Sequence, residues 1–254
     1  MSFAKASYGF VAVTALLCVA PVGAQDSWSW PEKPQNLQVL PKDWPGERLR
    51  APMTGFARAL GVRCSHCHVG EPDAPLSSYD FASDDNPNKE RAREMLRMLG
   101  SINDHLDKIE ASGAEPVNMW CHTCHAGRPR PMRLSEQLNE IYRAEGLDTT
   151  LERYAELRER FYGRGAYDFG EPTLNAFGYR LLGEDNAEGA IRVFELNAEL
   201  FPESANVWDS LAEAQMKAGS DELAQQYYYR SLGLDPGNEN AKEMLAKLAS
   251  APGS

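Results

Sequence analysis

The sequence predicts a mainly α-helical chain in two unlike parts. Three observations carry that expectation. Apolar residues recur at helical spacing in the first half, at Ala92, Met95, Leu99, Ile102, Leu106 and Ile109. The last third repeats with a 34-residue period. Between and before these stretches lie two close cysteine pairs, each following a methionine-bearing helical segment.

The N-terminus reads as a leader. Lys5 precedes an apolar run from Phe10 to Ala20, Pro21 breaks it, and Val22-Gly23-Ala24 forms a small-residue cleavage site before Gln25. Residues 1–24 are therefore expected to be a secretory signal peptide, with the mature chain periplasmic or otherwise extracytoplasmic. The run is too short to span a bilayer, and no later stretch is long and apolar enough, so no membrane span is expected after cleavage. Cys18 follows Leu17 rather than a small residue, so it is expected to leave with the leader rather than carry lipid. The formal charge is −11, and loss of Lys5 takes it to −12. So acidic a chain does not seek nucleic acid, repels anionic membranes and suits a basic or locally positive partner.

Four cysteines remain. Cys64-Ser65-His66-Cys67-His68 and Cys121-His122-Thr123-Cys124-His125 are two C-x-x-C-H motifs. Two thiols three positions apart can reach the two vinyl groups of one haem, and the histidine after the second thiol lies under the iron as proximal ligand. A redox dithiol, a zinc site or a structural disulfide would each use the thiols but gives no reason for a histidine after both pairs. Two covalently bound haem c groups are expected, with His68 and His125 as proximal iron ligands.

For the sixth ligands, His66 and His122 lie inside the thioether loops, which leaves His105 as the one free histidine. One histidine cannot serve two irons, so at least one distal ligand is a methionine or one site is open. Met53 opens an amphipathic stretch to Leu60, ended by Gly61. Met95 lies in a longer helix expected from about Asn88 to Glu110, with capping residues from Asp84 and a stop at Ser112-Gly113. Helix spacing alone leaves both methionines equally readable as core, where a thioether packs adaptably.

The segment Asn36 to Pro41, the run from Met53 through Ala59-Leu60-Gly61-Val62-Arg63-Cys64 to His68, the stretch Ala92-Arg93-Glu94-Met95-Leu96-Arg97-Met98, and Cys121 to Pro131 together resemble the cytochrome subunit of the purple-bacterial photosynthetic reaction centre. The similarity covers about residues 35–133. In that family a helix lies along each haem plane and donates a methionine to the iron. The resemblance thus implies Met53 as distal ligand for the haem on Cys64 and Cys67, and Met95 for the haem on Cys121 and Cys124, with Met98 as packing and His105 without a ligand role. The family's full subunit carries four haems where this chain has motifs for two. The link from His68 to Met95 is also longer, with an acidic insert over residues 71–87, expected to be a surface loop. Arg63 and Arg128 flank the motifs and are candidate partners for haem propionates, since arginine suits carboxylates.

From Glu171 the period appears. Leu174 matches Trp208, Phe177 matches Leu211, Gly178 matches Ala212, Ala190 matches Ala224, Phe194 matches Tyr228, and Pro202 matches Pro236. Large, small and proline positions recur as a tetratricopeptide repeat requires. Two repeats, 171–204 and 205–238, are expected, with Asn240 to Leu248 as a capping helix. Two repeats are few for independent stability, so the helical stretch Leu147 to Phe161 is expected to pack beneath them. Tyr228 is core by its repeat position, leaving Tyr227 and Tyr229 as surface candidates.

The expected organisation is a signal peptide (1–24), a two-haem c-type cytochrome domain of helix-turn-haem units (25–133), a helical connector (134–170) and a tetratricopeptide-like repeat domain with a capping helix (171–254). The expected activity is electron transfer between a redox donor and acceptor through two His/Met-ligated irons, without bond-making catalysis. A protein or peptide is expected to dock at the repeats. The rivals are a two-haem peroxidase-type enzyme, which needs an open iron and a distal acid-base group, and a redox-sensing adaptor, whose haems report through the repeats.

Overall fold

The computed structural model describes residues 28–110, 115 and 117–250, so the expected signal peptide lies outside the described residues. Among these residues the fold is all-helical: α1 (Gly46–Leu60), α2 (Pro87–Glu110), α3 (Cys121–His125), α4 (Leu134–Phe161), α5 (Glu171–Gly183), α6 (Ala187–Leu200), α7 (Ala205–Lys217), α8 (Asp221–Leu234) and α9 (Glu239–Ser250). Extended pairing among them is limited to one isolated bridge, Val69 with Asp80. No helix among the described residues is long and apolar enough to cross a membrane.

From α4 onward, consecutive helices pack on one another. The reason lies in the 34-residue register. Leu174, Phe177, Ala190, Phe194, Leu211, Ala212, Ala224 and Tyr228, all positions of the repeat, are buried. Gly178 keeps α5 close to α6: a Cβ there would fall 2.5 Å from the Phe194 ring. The register also fixes polar positions. Asn197 donates to the carbonyl of Glu171 at 3.2 Å, and Ser231, 34 positions on, donates to the carbonyl of Ala205 at 2.9 Å. Each tie holds the second helix of a pair to the start of the first. Asn238 starts α9 and, with Asn240, clasps the Asp209 carboxylate at 2.9 and 2.8 Å.

The core extends upstream of the periodic region. Gly146 (φ 85°) breaks α4, and the hydroxyl of Thr150 donates to its carbonyl at 2.7 Å. Leu134 and Leu138 before the break, and Tyr154 and Phe161 after it, are buried in one cluster with Leu174, Phe177 and Leu181. Tyr229 is exposed, as expected. Tyr227 is instead half-buried, because its helix turns it toward α7 of the same repeat, where it packs against Trp208 with ring centroids 5.7 Å apart.

One element near the first motif differs from the sequence expectation in extent. The first helix starts at Gly46 rather than Met53 and runs through Pro52. Pro45 opens it with a fixed φ of −69°, and Gly46 admits the crossing chain, since a Cβ there would lie 2.0 Å from the Pro31 carbonyl oxygen. The helix ends as expected, with Gly61 in the left-handed region at φ 66°.

Truncating a fully buried ring of the repeat core should destabilise the chain. Phe194→Ala is expected to cost about 3–5 kcal/mol, the usual cost of a buried aromatic cavity. Chemical denaturation of the full chain checks this.

Candidate haem sites

The first motif leaves α1 through Gly61 and folds as a tight turn. The Cys67 and His68 N–H groups both donate to the Cys64 carbonyl, at 3.2 and 3.0 Å. Side-chain amides hold the outside of the turn: Asn86 donates to the carbonyls of Ser65 and His66, both at 3.2 Å, and Asn88 donates to that of His66 at 2.9 Å. The start of α2 is thereby fixed to the first motif.

Residues 71–87 are not the plain surface loop expected from their composition. Tyr79 is buried, its hydroxyl donates to the Glu71 carbonyl at 2.6 Å, and its ring stacks on Phe81. Phe81 in turn meets the His68 imidazole at 4.9 Å and Trp28 at 4.9 Å. Of the acidic residues that suggested a loop, Asp84 is an anchoring group. Asp84 takes Arg93 at 2.8 Å, Asn36 at 2.8 Å and Lys89 at 3.0 Å. The segment is a wall beside His68.

His68 Nδ1 is buried and meets no hydrogen-bond partner among the described residues. Burial, then the nearby cations Lys89 and Arg93, pushes the imidazole down to about 4, against a weak opposing interaction with the Phe81 backbone. The ring is therefore neutral at pH 7, the form that binds a metal.

The second motif is α3 itself. The Trp120 N–H donates to the Thr123 hydroxyl oxygen at 3.1 Å, which starts the helix on Cys121. Ala126 (φ 46°) and Gly127 (φ 84°) then turn the chain sharply. His125 Nδ1 lies 2.8 Å from the Arg128 carbonyl oxygen. A carbonyl only accepts, so Nδ1 carries a proton, and Nε2 is the ring nitrogen left to face a metal. Upstream, Asn103 on α2 both accepts from and donates to the Met119 backbone, at 2.9 and 3.1 Å. Thus α2 is tied at its start to the first motif and near its end to the approach to the second.

The helix that precedes the first motif also packs directly on the second. Phe56 of α1 stacks on Trp120 at 6.0 Å, and the Gly127 N–H donates to the Ala59 carbonyl at 2.8 Å. Met53 is half-buried on this helix, which leads into the first motif and packs on the second. Met95 is 51% exposed and Met98 52%, and among the described side chains of α2 only Arg93 is buried. His105 lies exposed on the same helix.

The flanking arginines are already engaged. Arg63 pairs with Asp73 at 2.8 Å, both side chains largely exposed, a weak and exchangeable contact. Arg128 donates from Nε to the His125 carbonyl at 3.2 Å and from Nη1 to the Met132 carbonyl at 2.5 Å, and lies 4.3 Å from the centre of the Tyr167 ring. Beside it is a cleft of about 640 Å³ lined by Cys124, Arg128, Met132, Leu134, Tyr167 and Thr173, among others.

These residues fit a covalently held haem at each motif. The four thiols are not bonded to each other. Burial is the main cause raising the Cys67 and Cys121 thiols above the usual range, which keeps them protonated at neutral pH. Each motif presents a histidine with the metal-binding form available. No group of three or more His, Cys, Asp or Glu side chains among the described residues could hold a bare metal ion. Sequence reasoning missed Asn86, Asn88, Asn103 and Tyr167. An asparagine flanking a helix start is a signal for the first two as capping groups, whereas no local pattern marks the other two.

No family model matches the chain. Cytochrome c-554 of Chloroflexus aurantiacus is 26% identical to it over 140 residues, which cover 48% of this chain. The match spans only 32% of that protein's length. Among solved structures, the first tetratricopeptide (TPR) domain of Spaghetti (RPAP3), bound to an HSP90 peptide, aligns at TM-score 0.34 and 18% identity, over 46% of this chain and 89% of that one. The first TPR domain of the human RPAP3 protein aligns at TM-score 0.34 and 17% identity, over 46% and 87%. The description of α5 to α8 as helix-pair repeats rests on the chain's own period and burial.

The anchoring of residues 71–87 makes a pH-dependent prediction. Hydrogen bonds from Arg93, then Asn36 and Lys89, hold the Asp84 carboxyl well below the usual carboxylate range. Its folded pKa lies below its unfolded one, so its contribution is complete above about pH 4 and fades as pH falls further. Asp84→Asn should therefore lower the midpoint of thermal unfolding at pH 7, with the gap to wild type narrowing below about pH 4. Thermal melts across that range read both effects.

Proposed function

We propose that the chain is a dihaem c-type cytochrome that passes electrons between protein partners. His68 and His125 serve as proximal ligands, Met53 and Met95 as distal ligands, and Cys64, Cys67, Cys121 and Cys124 as haem attachment points. The observation that carries this reading is α2. It is a 24-residue amphipathic helix tied to both motifs, yet it presents Met95 and Met98 unburied and encloses no apolar side chain among those described. A helix with such a stripe needs a flat apolar partner, and a haem beside each motif supplies one. The similarity to cytochrome c-554 supports the same class.

When bound, haem iron supplies one-electron chemistry, with a thioether ligand favouring the reduced state relative to a second imidazole. The chain's own residues provide position and environment. Asn86 and Asn88 set the orientation of the first attachment turn, while Phe81 and Tyr79 exclude water from the His68 side. Arg63, exposed and weakly paired, is free to exchange Asp73 for a propionate. Arg128 is the weaker candidate for that role, since its donors already reach two backbone carbonyls. A methionine-bearing helix before each motif, and the exposed position of His105 on α2, disfavour the peroxidase reading.

The repeats supply docking. From Glu171 to the C-terminus there are fourteen acidic and six basic residues. Each of those six cations is engaged within the chain. Arg180, Arg192, Lys217, Lys242 and Lys247 form ion pairs, and Arg230 lies 4.0 Å over Trp208. The negative charge of the chain is thus concentrated where helix pairs offer an extended surface, which suits a basic redox partner.

Pyridine-haemochrome analysis should give two haems per chain, and Cys121→Ala/Cys124→Ala should halve that value. Near-infrared magnetic circular dichroism should show methionine-to-iron charge transfer at both haems. Met53→Ala and Met95→Ala should each abolish it at one. A high-spin haem in the unaltered protein would overturn the two-methionine assignment and favour the enzyme reading.

A further inference from the structure

We propose that Tyr167, in the segment between α4 and α5, is a positioning residue for the proximal histidine of the second haem and acts through Arg128. This rests on the two-haem reading above. The chain of contacts is short. His125 Nδ1–H donates to the Arg128 carbonyl at 2.8 Å, while the Arg128 N–H and Nε–H both donate back to the His125 carbonyl, at 2.9 and 3.2 Å. The Arg128 guanidinium also reaches the Met132 carbonyl at 2.5 Å, so it spans the turn from the histidine to the approach to α4.

The face of that guanidinium lies on the Tyr167 ring, 4.3 Å from its centre. Arginine is suited to such stacking because its plane stays free when its edges donate hydrogen bonds. Tyr167 is itself fixed. Its hydroxyl donates to Gln137 Oε1, and its ring meets Phe161 at 5.4 Å and Phe169 at 6.0 Å, both buried in the repeat-side core. The orientation of His125 is therefore set from the helices beyond the cytochrome segment. The first motif is built differently, with His68 Nδ1 finding no acceptor among the described residues.

Outer hydrogen bonds of this kind fix a ligand's tautomer and raise its basicity. A more basic imidazole favours the oxidised iron. Releasing the brace should therefore raise the midpoint potential of the second haem while leaving the first unmoved.

The test is a potentiometric titration, with electron paramagnetic resonance of the oxidised state, on the full haem-loaded chain. Tyr167→Leu removes the ring and keeps the charge of Arg128; Tyr167→Phe keeps the ring and loses only the hydroxyl. The leucine variant should raise one potential and shift one set of g-values, whereas the phenylalanine variant should match wild type. Full-length Cys64→Ala/Cys67→Ala, which retains the second motif alone, identifies the wave that moves. Arg128→Lys also keeps the charge but cannot span the two carbonyls or present a plane, and should reproduce the shift; it carries the test if Tyr167→Leu does not fold. Two loaded haems with unchanged potentials and g-values in both the leucine and lysine variants would overturn the proposal and leave the two-haem reading intact. So would a shift confined to the first haem. A chain that loads no haem at Cys121 and Cys124 overturns both, and shows itself in haem stoichiometry before any potential is measured.

Discussion

The backbone contact between Gly61 and Gly127 joins the parts of this molecule. A Cβ at Gly61 would lie 2.1 Å from the Gly127 carbonyl oxygen, and two residues earlier the Ala59 carbonyl accepts the Gly127 N–H. Both glycines sit at positive φ, so each also supplies a turn that an ordinary residue resists. The first turn leads into Cys64 and the second leaves His125. The same junction reaches the helical body: Arg160 donates to the Gly61 carbonyl at 3.2 Å, and Ala126 packs against the core cluster that contains Phe161. The two cysteine motifs are thereby placed side by side on a common support.

Around that junction the chain uses two kinds of cohesion. The repeat region buries aromatic and aliphatic side chains in register, and its polar ties merely select the packing of each helix pair. The region before it relies on directed polar contacts. Asn86, Asn88 and Asn103 hold α2 by its ends, and Asp84 gathers Arg93, Lys89 and Asn36. Side-chain amides and ion pairs of this kind fix orientation while enclosing little apolar surface. That leaves the methionine-bearing face of α2 and the cleft beside Cys124 available for a large planar group.

Much of this architecture was legible in residue spacing. The repeat positions from Leu174 to Tyr228 and the helix carrying Met95 follow from periodicity, because a buried face must recur with the helical turn. The stop at Gly61 follows from its fit to the left-handed cap. What could not be read depends on contacts between distant segments. The start of α1 at Gly46 depends on Pro31 crossing it. The acidic composition of residues 71–87 hid their role, since the cations that neutralise Asp84 lie on the next helix. Arg128, a candidate propionate partner from its place beside the second motif, also reaches two carbonyls and a tyrosine nearly forty positions away. Tyr227 and Tyr229 lie two positions apart, yet the first is half-buried against Trp208 and the second is exposed, which only the packing of α7 on α8 decides.

The uneven distribution of buried apolar side chains has a consequence for how the molecule gains its order. Before Leu134, the described residues bury Leu49, Ala59 and Tyr79 among the apolar types; the rest of the core lies at or beyond Leu134. Resistance to local opening follows such burial, in cooperative units. The helical body therefore holds most of the burial, and the cysteine-bearing segment is tied to it through Ala126, Arg128 and Arg160. Apolar enclosure is greatest from α4 to α8 and least along α2, so the least enclosed helix is the one that carries Met95 and Met98.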